Sequence, residues 1–208
     1  MNILSGVAGL RERKKEQTRQ RIAAVALRLF AERGFEAVTV NEIAEAAEVA
    51  KATLFAYFPS KEALVLGGVA GDDLAAIAAG RAPGQPFLAA LRGYFRGLAA
   101  AGVPEASLDA LVTRVRVIQD SPGLRAAANA LLYRQRDSLA GTLAGDYGEP
   151  AAGLIAAQVA ACLLTVQESY FRRLLDGTSP ADAGLLLARD VELAFDLLEH
   201  GVNQLERE

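Results

Sequence analysis

One cysteine and one histidine stand in 208 residues, and there is no tryptophan. Cys162 alone closes no internal disulfide and His200 alone builds no histidine-based metal site, so the common staples of small folds are excluded and no cofactor or metal is expected. Strand patterns are equally scarce, because β-branched residues never alternate over a useful length. The chain also lacks a glycine-rich phosphate loop, a cluster of metal ligands and a nucleophile near a histidine, so no reaction is specified and no enzyme is expected. The start, MNILSGVAGLRERKK, places its apolar residues before its positive ones. That order is the reverse of a secretory signal, and the expected location is the cytoplasm.

What the chain has is apolar material, 52% of its residues, much of it alanine. Alanine is the strongest helix former, so the composition predicts an all-α fold with ample core. The longest nearly uncharged run, PAAGLIAAQVAACLLTVQ at 150–167, approaches the length of a membrane span. Its alanines insert weakly, Gln158 and Gln167 lie inside it and Glu168 and Arg172 follow, so it reads as a helix buried in protein and no membrane partner is expected. The net charge of −3 is unevenly spread, and all four lysines (Lys14, Lys15, Lys51 and Lys61) fall in the first third. Such asymmetry points to a partner of negative charge for that part of the chain.

A first helix is predicted from about Arg11 to Arg33, ended by Gly34. Ile22, Val25, Ala26, Leu29 and Phe30 recur on one face and form an apolar stripe. Thr39 and Glu42 have the spacing of a capping box that opens a short helix carrying Ile43, Ala44 and Ala47 inward. After a brief turn a second short helix, Lys51 to Tyr57, stops before Pro59. Ser60 caps a further helix from Lys61, and Gly67, Gly68 and Gly71 weaken its continuation, which places a domain boundary there: 1–66 and 67–208. Beyond it, helices are expected at about 86–101, 104–119, 122–144, 150–176 and 180–200, two of them opened by Ser121-Pro122 and Ser179-Pro180.

Two short helices joined by a tight turn form a helix-turn-helix, whose second helix enters the major groove of DNA. If Leu54 and Phe58 face the core, then Lys51, Ala52, Phe55 and Ala56 lie on other sides of that helix. The stretch RIAAVALRLFAERGFEAVTVNEIAEAAEVAKATLFAYFPSKEAL, residues 21–64, resembles the DNA-binding domain of the TetR (tetracycline-repressor-like) regulators. The resemblance rests on Phe30, Gly34-Phe35, Thr39, Ile43-Ala44, Val49, Thr53, Phe58 and Lys61. It implies that Thr39 and Val40 approach the phosphate backbone. By the same resemblance Lys51, Ala52, Thr53 and Ala56 face base edges or nearby phosphates, Phe55 lies against backbone or a thymine methyl, and Tyr57 and Lys61 hold phosphates. Two departures stand out: Glu48 where the family often has glycine, and Ala50 where it often has a capping serine. The basic segment at 11–21, six positive charges against two negative, reads equally well as a solvated turn or as an arm reaching DNA backbone.

The resemblance further implies a C-terminal helical bundle that binds a small effector and forms a homodimer. Candidate lining residues are Phe87, Leu91, Tyr94, Phe95, Val115, Ile118, Leu132, Tyr133 and Tyr170, with Arg114, Arg116, Gln119, Arg134 and Gln167 as polar anchors for an apolar or aromatic ligand. The last two long helices carry more apolar face than one bundle buries, which assigns Ile155, Val159, Leu163, Val166, Val191, Ala194 and Leu198 to a four-helix interface across a two-fold axis. The expected protein is a dimeric repressor on a palindromic operator, released by its effector. The alternative is a regulator of the same shape controlled by a protein partner.

Overall fold

The computed structural model describes residues 3–67 and 73–201. Among them are ten helices and no strand: α1 (Ile3–Arg33), α2 (Val40–Ala46), α3 (Lys51–Tyr57), α4 (Ala63–Leu66), α5 (Leu74–Ala79), α6 (Phe87–Ala101), α7 (Glu105–Asp120), α8 (Pro122–Tyr147), α9 (Glu149–Leu175) and α10 (Pro180–His200). Two compact units divide the chain, the first comprising 1–70 and 113–128, the second 71–112 and 129–208.

The first unit closes around the apolar stripe of α1. Ile22, Ala26 and Phe30 are buried against Val38, Ile43, Leu54, Phe58 and the α4 residues Leu64 and Val65. Gly34 takes φ +83, the left-handed conformation that ends α1, and the chain turns so that the Phe35 ring lies 5.0 Å from that of Phe30. Val117 and Leu124 complete the same core, which is why 113–128 belongs to this unit and not to the rest of 67–208 as expected from the sequence. Ser121, a buried hydroxyl, accepts from the Leu124 amide at 3.1 Å to cap α8 and donates to Glu36 at 2.9 Å.

The second unit is a helical bundle. Phe87 and Leu91 of α6, Leu139 and Leu143 of α8, Ala152, Ala156 and Val159 of α9, and Val191 and Phe195 of α10 form its core. Arg92 of α6 forks to three α10 carboxylates, Glu192 at 2.5 Å, Asp196 at 2.7 Å and Glu199 at 3.1 Å, and Arg96 adds a bond to Glu192 at 2.7 Å. These bonds hold the Glu192 carboxyl at about 2, chiefly through Arg96 and then Arg92. By length and composition α9 is apolar enough to cross a membrane, but one face of it (Ala152, Ala156, Val159, Val166 and Tyr170) is buried among its neighbours.

Helix ends follow the caps read from sequence. Ser179 accepts from Asp182 N at 3.1 Å to open α10, as Ser121 does for α8. Three features differ. α1 begins at Ile3, not Arg11. The helix expected from Lys61 starts at Ala63, where Ser60 Oγ accepts from the Ala63 amide at 3.2 Å. A short helix, α5, opens where Asp73 accepts from Ala76 N at 3.0 Å. Of the glycines expected to weaken the helix from Lys61, Gly68 and Gly71 lie outside the described residues. Gly67 has a steric reason to be glycine, since a Cβ there would meet the Ala63 carbonyl oxygen at 2.8 Å.

Candidate nucleic-acid interface

The geometry of α3 follows from its two inward residues. Leu54 is fully buried and Phe58 is 4% exposed, and these anchors turn Lys51, Ala52, Phe55 and Ala56 outward. Phe55 is 41% exposed, a large apolar ring left in water. Thr53 and Tyr57 are half-buried at the edges of this face. The surface is thus one cation, one ring and two small residues on a short helix, a shape that lets backbone approach a partner closely.

Around it, polar side chains are already committed. Thr39 caps α2 with its hydroxyl, which accepts from the Glu42 amide at 3.3 Å and donates to Glu42 Oε2 at 2.7 Å. Glu42 Oε2 in turn accepts from the Thr39 amide at 2.7 Å, completing the capping box, and Arg33 bonds Oε1 at 2.7 Å. These bonds, led by the Thr39 hydroxyl, then the Thr39 amide, then Arg33, hold the Glu42 carboxyl at about 2. The expected role of Thr39 as a phosphate donor therefore needs its hydroxyl to leave Glu42, whereas Val40 is half-buried and packs against the core of the first unit. Lys61 is also engaged. Its ammonium lies 4.3 Å from the centroid of Phe35 and 5.7 Å from that of Phe30, a cation–π contact that ties the α3–α4 turn to α1. Arg19, which sequence reasoning left inside the basic segment, places its guanidinium 5.7 Å from the Phe58 centroid.

In the second unit a cavity of about 200 Å³ is lined by α5, α6, α8, α9 and α10, with Phe95, Leu132, Leu163 and Val166 among its apolar walls and Gln135 and Gln167 as its amides. Of the expected ligand residues, Phe95, Leu132 and Gln167 meet there. Phe87 and Leu91 are core, Tyr170 is buried with its hydroxyl pushed up by that burial, and Tyr94 and Tyr133 are 37% and 60% exposed. Arg114, Val115, Arg116, Ile118 and Gln119 belong to the first unit and Arg134 is exposed, so the expected list does not describe one pocket. Arg114 has its Nε buried with no hydrogen-bond partner among the described residues, and desolvation pulls its pKa down.

The expected dimer residues lie mostly inside the single chain. Val159, Val166, Val191 and Ala194 are buried in the chain's own core, and Ile155, Leu163 and Leu198 pack against it. Leu154, Leu185 and Leu193 are exposed apolar groups of α9 and α10 (67%, 69% and 48%), and Leu193 lines a groove with Ala161, Cys162, Thr165 and Leu197. Both helices are apolar on more than one side, and periodicity alone does not say which side is inside. Cys162, half-buried in that groove, has its thiol pushed up by burial.

Residues 22–67 match the model of bacterial regulatory proteins of the tetR family, and residues 85–203 match that of the MftR C-terminal domain. The chain belongs to the TetR family of transcriptional regulators. It is 37% identical over 142 residues to the HTH-type transcriptional regulator TcmR of Streptomyces glaucescens, a match spanning 65% of this chain and 61% of TcmR. It is 29% identical over 197 residues to MftR of Mycobacterium tuberculosis, covering 94% of this chain and 96% of MftR. NalD, the secondary repressor of the MexAB-OprM multidrug efflux pump in Pseudomonas aeruginosa, shares the fold with a TM-score of 0.53 at 19% identity, covering 89% of this chain and 96% of NalD.

Within this TetR-family head both sequence departures have structural consequences. Glu48 takes φ +51, so the position where glycine is common does require the left-handed conformation, and glutamate adopts it at a cost of ~1 kcal/mol. Ala50 offers no side-chain cap to α3, which relies on Leu54 and Phe58 for its order. The Glu42 cap makes a prediction in acid. Its folded pKa of about 2 lies below the ordinary glutamate value of 4.5, so its stabilisation is complete above pH 4.5 and is lost as pH falls towards 2. Carbon NMR of the Glu42 carboxyl should show a midpoint near pH 2; a midpoint near 4.5 would show that the capping box is open in solution.

Proposed function

We propose that this TetR-family regulator is a dimeric repressor that binds a palindromic operator and is released by a small apolar or aromatic effector. The observation that supports it most is the face of α3, where Lys51, Ala52, Phe55 and Ala56 project from a helix whose opposite side is sealed into the core. Small residues at 52 and 56 let the helix lie deep in the major groove, Phe55 meets a thymine methyl or sugar, and Lys51 and Tyr57 meet phosphates. Thr53 lies at the edge of the reading face. Lys61 contributes its charge from the aromatic seat beside α3, and Val40, after the Thr39 cap, brings the start of α2 to the backbone. Base-specific bonds are few in this arrangement, so much of the selectivity comes from shape and deformability of the site.

The largely apolar groove that α9 and α10 leave exposed supports a dimer. Covering Leu154, Leu193 and Leu197 with the same face of a second copy gives a two-fold interface, and two α3 helices then read half-sites one helical turn apart. The cavity lined by Phe95, Leu132, Leu163 and Gln167 is the proposed effector site. Its volume of about 200 Å³ suits a small ligand. That figure lies below the ~300–1,000 Å³ of most ligand pockets, which is the observation favouring a second reading, control by a protein partner.

Three measurements test this function. Lys51→Ala should lower the log–log salt slope of duplex binding by ~0.9, the share of one neutralised phosphate; an unchanged slope removes Lys51 from the interface. Leu193→Glu should shift the protein to monomer in sedimentation while its helix content holds, and a dimer that survives this change is built elsewhere. Small apolar compounds should raise the Tm of the wild type by mass action, about 2.7 kcal/mol of stabilisation at a hundredfold excess over Kd. They should fail to do so in Leu163→Trp, which fills the cavity; if no compound shifts the wild type, the protein-partner reading replaces the effector.

A further inference from the structure

The cavity of the second unit is bounded by five helices, and among the described residues that line it none carries a charge. Leucine, valine, alanine and phenylalanine make up its walls, interrupted only by the amides of Gln135 and Gln167. Charged residues stand next to the lining in sequence, but they are committed elsewhere. Arg96, after Phe95, bonds Glu192, after Val191, at 2.7 Å. Asp190, before Val191, bonds Arg173 at 2.6 Å, and Arg136, after Gln135, bonds Asp137 at 2.7 Å. Asp73 caps α5, and Arg134 and Glu168 are exposed to water. The lining therefore holds no counter-charge for an ionised ligand.

That absence of charge in the wall discriminates between ligands. A carboxylate or ammonium entering this space leaves water and meets no opposite charge, a transfer so unfavourable that such a group gives up its charge or stays outside. A neutral polar group meets a different wall. The Gln167 amide offers two N–H donors and a carbonyl oxygen. It has no hydrogen-bond partner among the described residues, whereas Gln135 is already engaged.

Gln167 is also well placed to orient what enters. It is half-buried on α9, one turn beyond the lining residues Leu163 and Leu164 and beside Val166, which belongs to the core. One open polar point in an apolar wall fixes which way round a ligand lies, because only one orientation joins its polar atom to the amide. The space of about 200 Å³ favours a compact ring system over a long chain.

We infer that the effector is an uncharged, compact molecule with one hydrogen-bonding oxygen, a phenol, alcohol or ketone, that Gln167 reads, and that the carboxylate of the same skeleton is excluded. Gln167 then sets specificity, and the uncharged wall supplies the rejection. The inference rests on the effector reading given above and narrows it from apolar or aromatic ligands to neutral ones with a polar handle.

Three probes separate these contributions: β-naphthol, naphthalene and β-naphthoate present the same fused rings with a hydroxyl, no polar group and a carboxylate. Calorimetric titration of the full chain at neutral pH should find β-naphthol bound most tightly. Naphthalene should bind about three- to tenfold more weakly, the worth of one neutral hydrogen bond, and β-naphthoate at least about a hundredfold more weakly. Gln167→Leu should bring β-naphthol to the level of naphthalene and leave naphthalene as it was, with helix content unchanged by circular dichroism. Leu163→Trp should remove both, which assigns the binding to this cavity. If β-naphthoate binds within about tenfold of β-naphthol and is lost in Leu163→Trp, the inference is overturned while the effector reading stands. A Gln167→Leu variant that binds β-naphthol as the wild type does overturns the role of Gln167. A wild type that binds none of the three overturns the inference, and the effector reading falls with it only if other small apolar compounds also leave the Tm unmoved.

Discussion

The surface that this regulator turns outward hangs on two side chains that never reach a partner, Leu54 and Phe58. A seven-residue helix is too short to hold itself in water, and α3 has no side-chain cap at its start. Its order comes from sealing those two residues against Ile22, Phe30 and Ile43, each fully buried apolar side chain contributing ~1.5–3 kcal/mol. That sealing also sets the rotation of the helix, and the rotation decides which residues face solvent. The exposed face and the core packing are therefore one constraint read from its two sides.

Much of the head was legible because its signals are local. A capping box at Thr39 and Glu42, a proline after Phe58 and a glycine after Arg33 each act within four residues, and each appears where the sequence placed it. The outward set of α3 followed from knowing that Leu54 and Phe58 point inward. What sequence could not provide was engagement. That the Thr39 hydroxyl is spent on Glu42, and that Lys61 rests on Phe35 and Phe30, depend on how side chains from separate segments meet. Arg19 was missed for the same reason, since its ring partner is 39 residues away in sequence.

The second unit was legible as helices and not as a site. Alanine-rich α9 and leucine-rich α10 are apolar on several sides, so the residues assigned to a twin subunit, Val159, Val166, Val191 and Ala194, are consumed by the chain's own core. The expected ligand list is scattered by a related route. Aromatic and arginine positions on α6, α7, α8 and α9 all fit a pocket by spacing, but α7 contributes Val115 and Ile118 to the other unit, and only a few of the remainder line a common space. Periodicity says that a face is apolar; only three-dimensional packing says what covers it.

Glu42 sits at the start of α2, and on the proposed DNA-binding mode a bare carboxylate there would repel the polyanion. Arg33, 2.7 Å away, cancels that charge from within the protein. The residue that staples the helix start is thereby made electrically quiet. Its counter-ion is supplied in advance by the end of α1, so the head carries its acidic fastening with the charge already balanced.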